Sequence, residues 1–427
     1  MNDATVFALA SGAGRAAIAV LRISGPDSAR LVTALCGSLP SPRRAVVRAL
    51  RDSNGELLDR AMILWLPGPG SYTGEDSAEL HLHAGRAVVD AVAAALGSLG
   101  ARPAEPGEFT RRAFLNGKLD LVSAEAVHDL VAAETDAQRR QALRQLDGAL
   151  GDLYGDWSDR LRRALAHQEA LIDFPDEDLP AEVEADLMTS VRSLRAEIAA
   201  HLDDRRRGER LREGLFFAIT GAPNVGKSSL INALAERDVA IVSATPGTTR
   251  DAIETRIVLG GVPVTLIDTA GLRDTTDPIE AEGVRRALNR AASADLVITV
   301  IEAGTPFEPA AAGLVVANKS DLVPEQNPGV LWISALTGAG LPELRARLAA
   351  EATVLTESGG PPPLTRARHR IALQEASRAL EDAEGAREPE LRGEAMRLAL
   401  RALGSITGHV GVEDILDSIF RQFCIGK

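Results

Sequence analysis

Residues Gly221–Ser228 read GAPNVGKS and fit the spacing G-x-x-x-x-G-K-[ST]. An apolar run, LFFAIT, precedes them, and a helix-patterned run, SSLINALAE, follows. In that setting Gly221 and Gly226 let the backbone curl so that its amides, from Asn224 and Val225 to Ser229, point inward at phosphate. The helix start adds partial positive charge. Lys227 is placed to reach β- and γ-phosphates, and Ser228 to ligate Mg²⁺. A glycine-rich strand–helix turn without a ligand is the bland alternative, and the full match in this context disfavours it.

Three further elements follow in a telling order. DTAG (Asp268, Thr269, Ala270, Gly271) ends a strand-like run, where an outer Mg²⁺ carboxylate and a glycine amide facing the γ-phosphate belong. NKSD (Asn318, Lys319, Ser320, Asp321) ends another. The Asp321 carboxylate can accept hydrogen bonds from guanine N1–H and its exocyclic amine, which adenine cannot supply. An unpaired carboxylate would penalise adenine. SAL (Ser334, Ala335, Leu336) fits a loop whose backbone meets the base oxygen. The four together imply a GTP site.

PGTTRD (Pro246–Asp251) occupies the place of a first switch segment. Thr249 is the choice for a hydroxyl that meets Mg²⁺, and Thr248 is the alternative. Leu272 follows DTAG where many small GTPases carry a water-orienting Gln, and it cannot hydrogen-bond. Catalysis must therefore be organised differently. Arg273, Asp274, Asp277, Glu280 and Glu282 are the nearby candidates, each also readable as a solvated charge. Either an arginine finger or a monovalent cation could balance the transition-state charge.

The surrounding elements imply a multidomain α/β plus α chain. Residues 1–118 alternate strand-like runs (Ala16–Ile23, Ala61–Leu66, Ala78–Gly85) with turn signals, as in a small α+β domain. Residues 119–212 are Leu-, Ala-, Arg- and Glu-rich at helical spacing, as at Leu143, Leu146, Leu150, Leu153 and Trp157, broken once by Phe174–Pro180. Residues 213–357 switch to βαβ alternation, which implies a mostly parallel sheet of Ras-like type. Ser358–Leu364 reads as a linker, and helical composition returns from Arg366 to Phe423, within a second helical part spanning 358–427. One helical domain interrupted by the α/β domain is the simplest reading, and two separate helical pieces are the other.

With 427 residues the chain exceeds one hydrophobic core. The net charge of −13 argues against a generally basic, nucleic-acid-coating surface, though not against a local basic patch. Two cysteines, Cys36 and Cys424, are too few for a disulfide framework. No apolar run approaches a membrane span, and MNDATVFALA has an acid where a secretory signal needs base, so a cytoplasmic protein without membrane attachment is expected.

Several motifs carry a family resemblance: GRAAIAVLRISG (Gly14–Gly25), PGPGSYTGED (Pro67–Asp76), RPAEPGEFTRRAFLNGKLDL (Arg102–Leu121), IDFPDED (Ile172–Asp178) and FCIGK (Phe423–Lys427). With the nucleotide motifs they resemble the MnmE (TrmE) family of tRNA-modifying GTPases, over essentially the whole chain. The stretch between Glu302 and Gly313 is shorter than the family pattern. The resemblance implies that the N-terminal domain is a folate-binding and dimerisation domain. Arg22, Glu79, Lys118 and, more weakly, Lys427 would hold a tetrahydrofolate derivative, 5,10-methylene or 5-formyl. Without the resemblance, Arg22 and Lys118 read as surface charges and Glu79 as a solvent-facing strand residue. It also implies a potassium-activated GTPase. Asn224 would ligate K⁺, with Ser243, Thr245 and Thr248 in the closing loop. Nucleotide contacts extend over Ser243, Ala244, Thr245, Pro246, Gly247, Thr248 and Thr249. K⁺ would take an arginine finger's place when two GTPase domains of a homodimer pair. Arg250 and Asp251 would position that loop, and Glu280 would orient water. Cys424, otherwise an inert tail thiol, lies in a family motif and is a catalytic candidate. A prenylation reading of the terminus fails because Gly426 is not aliphatic and Lys427 is last.

The implied activity adds a carboxymethylaminomethyl or aminomethyl group to carbon 5 of the wobble uridine of certain tRNAs. The implied partner is the flavoprotein MnmG (GidA), in a heterotetramer, which would bring FAD and NADH; this chain has no G-x-G-x-x-G loop. Two other readings compete: an Era- or Der-type ribosome-assembly switch, and a GTPase regulated by dimerisation with a helical scaffold.

Overall fold

The computed structural model describes residues 4–12, 14, 16–173, 181–235, 254–268, 294–306, 313–323, 330–357, 361–408, 410 and 413–426. The chain divides into two compact units. The first comprises Met1–His128, Leu146–Arg163 and Arg397–Lys427; the second comprises Asp129–Gln145 and Ala164–Met396.

The first unit is built on a sheet of β1 (Val6–Leu9), β2 (Ile18–Ser24), β3 (Val46–Arg51), β4 (Leu57–Leu66), β5 (Ser77–His83) and β6 (Arg102–Pro103). Their order is β3-β4-β5-β2-β1-β6, antiparallel throughout except for β1 with β6. β1, β3 and β6 add to the three strands read from sequence. Alternation does the sorting. Ala78, Leu80 and Leu82 of β5 point inward, and helices Ser28–Cys36 and Arg86–Ser98 cover that face with Leu31, Val32, Leu35, Val92 and Leu96. The last helix, Glu413–Phe420, places Leu416, Ile419 and Phe420 with Phe423 against Leu121 and Ala124. The chain's tail is thereby part of this unit.

In the second unit, helices Ala181–Leu202 and Ala367–Gly385 pack along each other, with Arg195 Nε donating to Glu384 Oε1 at 2.7 Å. Gln168 Nε2 donates to the Pro389 carbonyl at 3.0 Å. Helices before and after the α/β segment therefore touch one another. Phe174–Pro180 lies outside the described residues.

The second sheet holds β7 (Leu215–Thr220), β8 (Glu254–Leu259), β9 (Val262–Asp268), β10 (Leu296–Glu302), β11 (Leu314–Asn318) and β12 (Leu331–Trp332), in the order β12-β11-β10-β7-β9-β8. Every pair is parallel except the β8–β9 hairpin. Its turn is Gly260-Gly261, both at positive φ (+59° and +81°), the conformation a tight two-residue hairpin needs. Helices Lys227–Ala235 and Leu341–Thr356 complete the core with Leu230, Leu234, Leu344 and Leu348 against Phe217, Leu266, Ile298 and Val300. Because β7, β9 and β11 are parallel, the loops that follow them emerge at one edge of the sheet. The sequence motifs occupy those loops.

Candidate nucleotide and cofactor sites

The first loop leaves β7 through Gly221 at φ +142°. A Cβ there would overlap the Val300 carbonyl oxygen of the adjacent strand. At Gly226, φ is +93° and a Cβ would overlap Asn318 Nδ2. These two glycines are therefore required by contact as well as by dihedral angle. Asn224 is exposed at φ +65°, a left-handed conformation that asparagine tolerates better than most residues.

Lys227 is only 4% exposed. Its ammonium is held inside the curl, donating to the carbonyls of Gly221 (2.8 Å) and Ala222 (2.7 Å). A buried ammonium is costly unless it is hydrogen-bonded, so the loop fixes the cation in its own concavity. Ser228 Oγ, at the start of helix Lys227–Ala235, donates to Asp268 Oδ2 at 2.7 Å. A hydroxyl and a carboxylate so joined make a hard-oxygen pair of the kind Mg²⁺ takes alongside phosphate oxygens. The donor set fits that ion.

Asn318 ties the base-side loops to the phosphate loop. It is 2% exposed; its Nδ2 donates to the Val225 carbonyl at 2.8 Å, and its Oδ1 accepts from the Ala335 amide at 3.0 Å. Lys319, at φ +66°, directs its ammonium to Glu302 Oε2 at 2.9 Å. Asp321 stands exposed in the short 3-10 turn Ser320–Leu322, which is anchored by Ser320 N–H donating to the Ile333 carbonyl. Ser334 is fully buried, and its hydroxyl accepts from the Thr337 amide, which closes the SAL loop. The structure thus brings together Asn224 through Ser229, Asp268, Asn318, Lys319, Asp321, Ser334 and Ala335. Ser243, Ala244, Thr245, Pro246, Gly247, Thr248, Thr249, Arg250, Asp251, Thr269, Ala270, Gly271 and Glu280 lie outside the described residues, as does Lys427. Sequence reasoning missed the Asn318–Val225 and Asn318–Ala335 clamps. NKSD flagged the residue, but nothing local showed what its side chain reaches.

In the first unit, Arg22 and Glu79 face each other across β2 and β5. Arg22 Nη2 and Nε both donate to Glu79 Oε1, at 2.9 and 3.2 Å. Each side chain is mostly covered, so Glu79 is not the solvent-facing strand residue of the family-free reading. The guanidinium lies 5.7 Å from the Tyr72 ring centroid and 5.8 Å from that of Phe109, within cation–π range. Lys118 is exposed and donates to the Pro69 carbonyl at 3.0 Å, on the loop that carries Tyr72. Cys424 is exposed and free, with its carbonyl accepting from the Gly107 amide. Gly426 runs against Leu9 and Ala10, at the end of β1.

A cavity of about 580 Å³ is lined in part by helix Glu108–Leu115, and none of Arg22, Glu79 or Lys118 lines it. Its charges answer one another. Arg112 bridges Glu75 and Glu108, Arg102 meets Glu108, and Arg111 meets Asp417. Burial alone would raise the Glu108 carboxyl, but hydrogen bonds from Arg102, the Glu105 amide and Arg112 outweigh it and hold the group below its ordinary value.

A parallel sheet, a lysine-bearing phosphate loop, a Ser–Asp oxygen pair and a base-side Asn–Asp turn define a P-loop GTPase. The comparisons narrow the class. Residues 5–118 match the family model described as GTP-binding protein TrmE N-terminus, and residues 121–424 match the MnmE helical domain. A protein from Granulibacter bethesdensis named tRNA modification GTPase MnmE is 59% identical, covering 100% of each chain. One of that name from Gluconacetobacter diazotrophicus is 61% identical over 99% of this chain and 98% of its own. Among solved structures, the FeoB G-domain of Methanococcus jannaschii matches 33% of this chain and 98% of its own, at 22% identity and a TM-score of 0.23. The chain belongs to the MnmE (TrmE) family.

Proposed function

We propose that this chain is a potassium-activated GTPase that acts with a flavoprotein partner. Together they install the (carboxymethyl)aminomethyl group at carbon 5 of the wobble uridine of certain tRNAs. The observation that carries the GTPase part is the Asn318 clamp, which locks a phosphate loop and a base loop into one frame. The tRNA part rests on full-length relatives named tRNA modification GTPases, which favour it over a ribosome-assembly switch.

In this reading Lys227 leaves its loop carbonyls for the β- and γ-phosphates, an exchange of one set of acceptors for another. Ser228 and Thr249 would hold Mg²⁺, with Asp268 supporting it through Ser228, and the bound ion would supply charge to offset that developing on phosphate. Asp321 reads the guanine edge, with Ser334 and Ala335 at the base oxygen. Asn224, with Ser243, Thr245 and Thr248, would hold K⁺, whose charge would take an arginine finger's part when two GTPase domains pair. Arg250 and Asp251 shape that loop, and Glu280 orients the attacking water. The residue ranges 1–118, 119–212, 213–357 and 358–427 serve folate binding and dimerisation, helical support, GTP hydrolysis and helical support again. Arg22, Glu79, Lys118 and Lys427 hold a tetrahydrofolate one-carbon donor. The Arg22–Glu79 pair supports this, because it sets an acid beside a base whose guanidinium lies near two aromatic rings. Cys424, exposed and free, is the catalytic candidate of the tail. The protein works in the cytoplasm, and no described helix is long and apolar enough to cross a membrane.

Mass spectrometry of tRNA nucleosides from a strain lacking this gene tests the reading; C5-substituted wobble uridine should vanish, and its persistence would overturn the assignment. In vitro, hydrolysis should be faster in K⁺ than in Na⁺, and Asn224→Ala should abolish that difference while leaving GTP affinity near normal.

A further inference from the structure

The first unit carries a cationic rim. From Gly37 to Arg51 there are four arginines and no carboxylate, in a chain whose net charge is −13. Most of this run forms β3 and its approach, at one end of the sheet order, where only β4 pairs with it among the described residues. Arg43, Arg44, Arg48 and Arg51 are exposed, as is Arg60 on β4, which stands opposite Ala49.

These five differ from other arginines of the same unit. Arg30, Arg86, Arg102, Arg111 and Arg112 each meet a carboxylate. Among the described residues, no ion pair engages the rim. Arg43 donates to the Gly70 carbonyl, Arg48 to the Val47 carbonyl and Arg51 to the Gly55 carbonyl, all neutral partners. Three carboxylates lie close in sequence, so the rim sets five cations against Asp52, Glu56 and Asp59. Asp52 accepts from the amides of Asn54 and Glu56, and Asp59 accepts from His83, leaving Glu56. At about 3.3 Å per residue, Arg48 and Arg51 are roughly 10 Å apart along the strand.

We propose that this β3–β4 rim is the surface on which the chain meets the sugar–phosphate backbone of its tRNA. The inference rests on the tRNA reading above. A polyanion approaching an acidic protein is attracted only where cations lack local partners. Guanidinium groups whose partners are neutral carbonyls can turn to phosphate oxygens, which they engage in bidentate fashion. The rim's exposed arginines suit contact with phosphates, which carries no base readout, while Val47 and Leu57 are the exposed apolar residues beside them. Charged edge strands also discourage sheet-to-sheet aggregation, and that role alone makes a different prediction.

The test uses the full chain and an unmodified tRNA transcript with a wobble uridine, titrated by fluorescence anisotropy over a range of KCl. The triple variant Arg44→Gln, Arg48→Gln, Arg51→Gln should weaken binding at least tenfold at moderate salt. It should reduce the slope of log affinity against log salt by about 2–3, since each lost phosphate contact removes close to one. GTP hydrolysis should be unchanged, because these residues lie outside the nucleotide site. The matching Arg→Lys triple should keep the slope, and Arg347→Gln on helix Leu341–Thr356 should change nothing. Unchanged affinity and slope in the Gln triple, or no tRNA binding by the parent at any salt, would overturn the proposal. Self-association of the Gln triple with an unaltered slope would assign the rim to edge protection. Loss of the wobble modification in the deletion strain, alongside normal binding by the triple, would sink the surface and spare the function.

Discussion

Gly226→Ala should cripple nucleotide binding through a residue the nucleotide itself need not touch. An added Cβ would overlap Asn318 Nδ2, inside any distance real Cβ atoms adopt, so Asn318 or the loop must shift. Asn318 is 2% exposed and makes two hydrogen bonds, a buried one to Val225 and a partly buried one from Ala335. Leaving a buried polar group unsatisfied costs about 1–3 kcal/mol each time. Alanine at φ +93° adds about 1–2 kcal/mol of backbone strain. The buried bond to Val225 and the backbone strain together reach roughly 2–5 kcal/mol, and at about 1.4 kcal/mol per decade the loss of GTP affinity is about 30- to 4,000-fold. Calorimetric titration of the Mg²⁺-loaded protein with GTP measures it. A companion variant, Asn318→Ala, removes the obstructing amide, so the double variant should lose clearly less than the sum of the two singles. Affinity within threefold of the parent in Gly226→Ala, or strict additivity in the double, would refute the clamp.

Two further outcomes are expected. Asp321→Asn replaces an acceptor pair by one acceptor and one donor, so GTP should lose on the order of 10²–10⁴ in affinity while xanthosine triphosphate, whose C2 oxygen can accept, gains; competition titrations with both nucleotides decide it, and unaltered GTP affinity removes Asp321 from the base site. Burial pushes the His201 imidazole below its ordinary value; Arg370 lowers it further and Asp204 opposes. The unfolded chain then binds a proton that the folded chain resists, so His201 contributes a loss of stability as pH falls below about 6.5, of at most about 1.4 kcal/mol per pH unit. Melting curves between pH 7.5 and 5 should be flatter for His201→Gln than for the parent, and an unchanged pH slope would show that the histidine is not responsible.

The GTPase site was legible because its chemistry is local. A phosphate loop needs glycines and a lysine at fixed spacing on one strand–helix turn, so GAPNVGKS announces itself, and NKSD does the same for the base. Parallel βαβ order followed from the alternation of apolar runs. The β8 strand was readable in principle from Gly260-Gly261 between alternating residues, yet the period-two signal of ETRIVL is weak, with only Ile257 and Leu259 buried. What the chain alone could not show is contact across long separations. Arg22 and Glu79 are 57 residues apart and meet only because β2 and β5 pair in one register; a slip of one residue would send them to opposite faces. Asn318 reaches a carbonyl 93 residues away because β7 and β11 are parallel and both end at the same sheet edge. The arginines of β3 were visible as letters, but only the sheet order places them on an edge. Sequence determined which groups can do the chemistry, since that depends on residue type and short-range spacing. Tertiary structure decided which groups stand together, since strand register and parallel packing are set by the buried face as a whole.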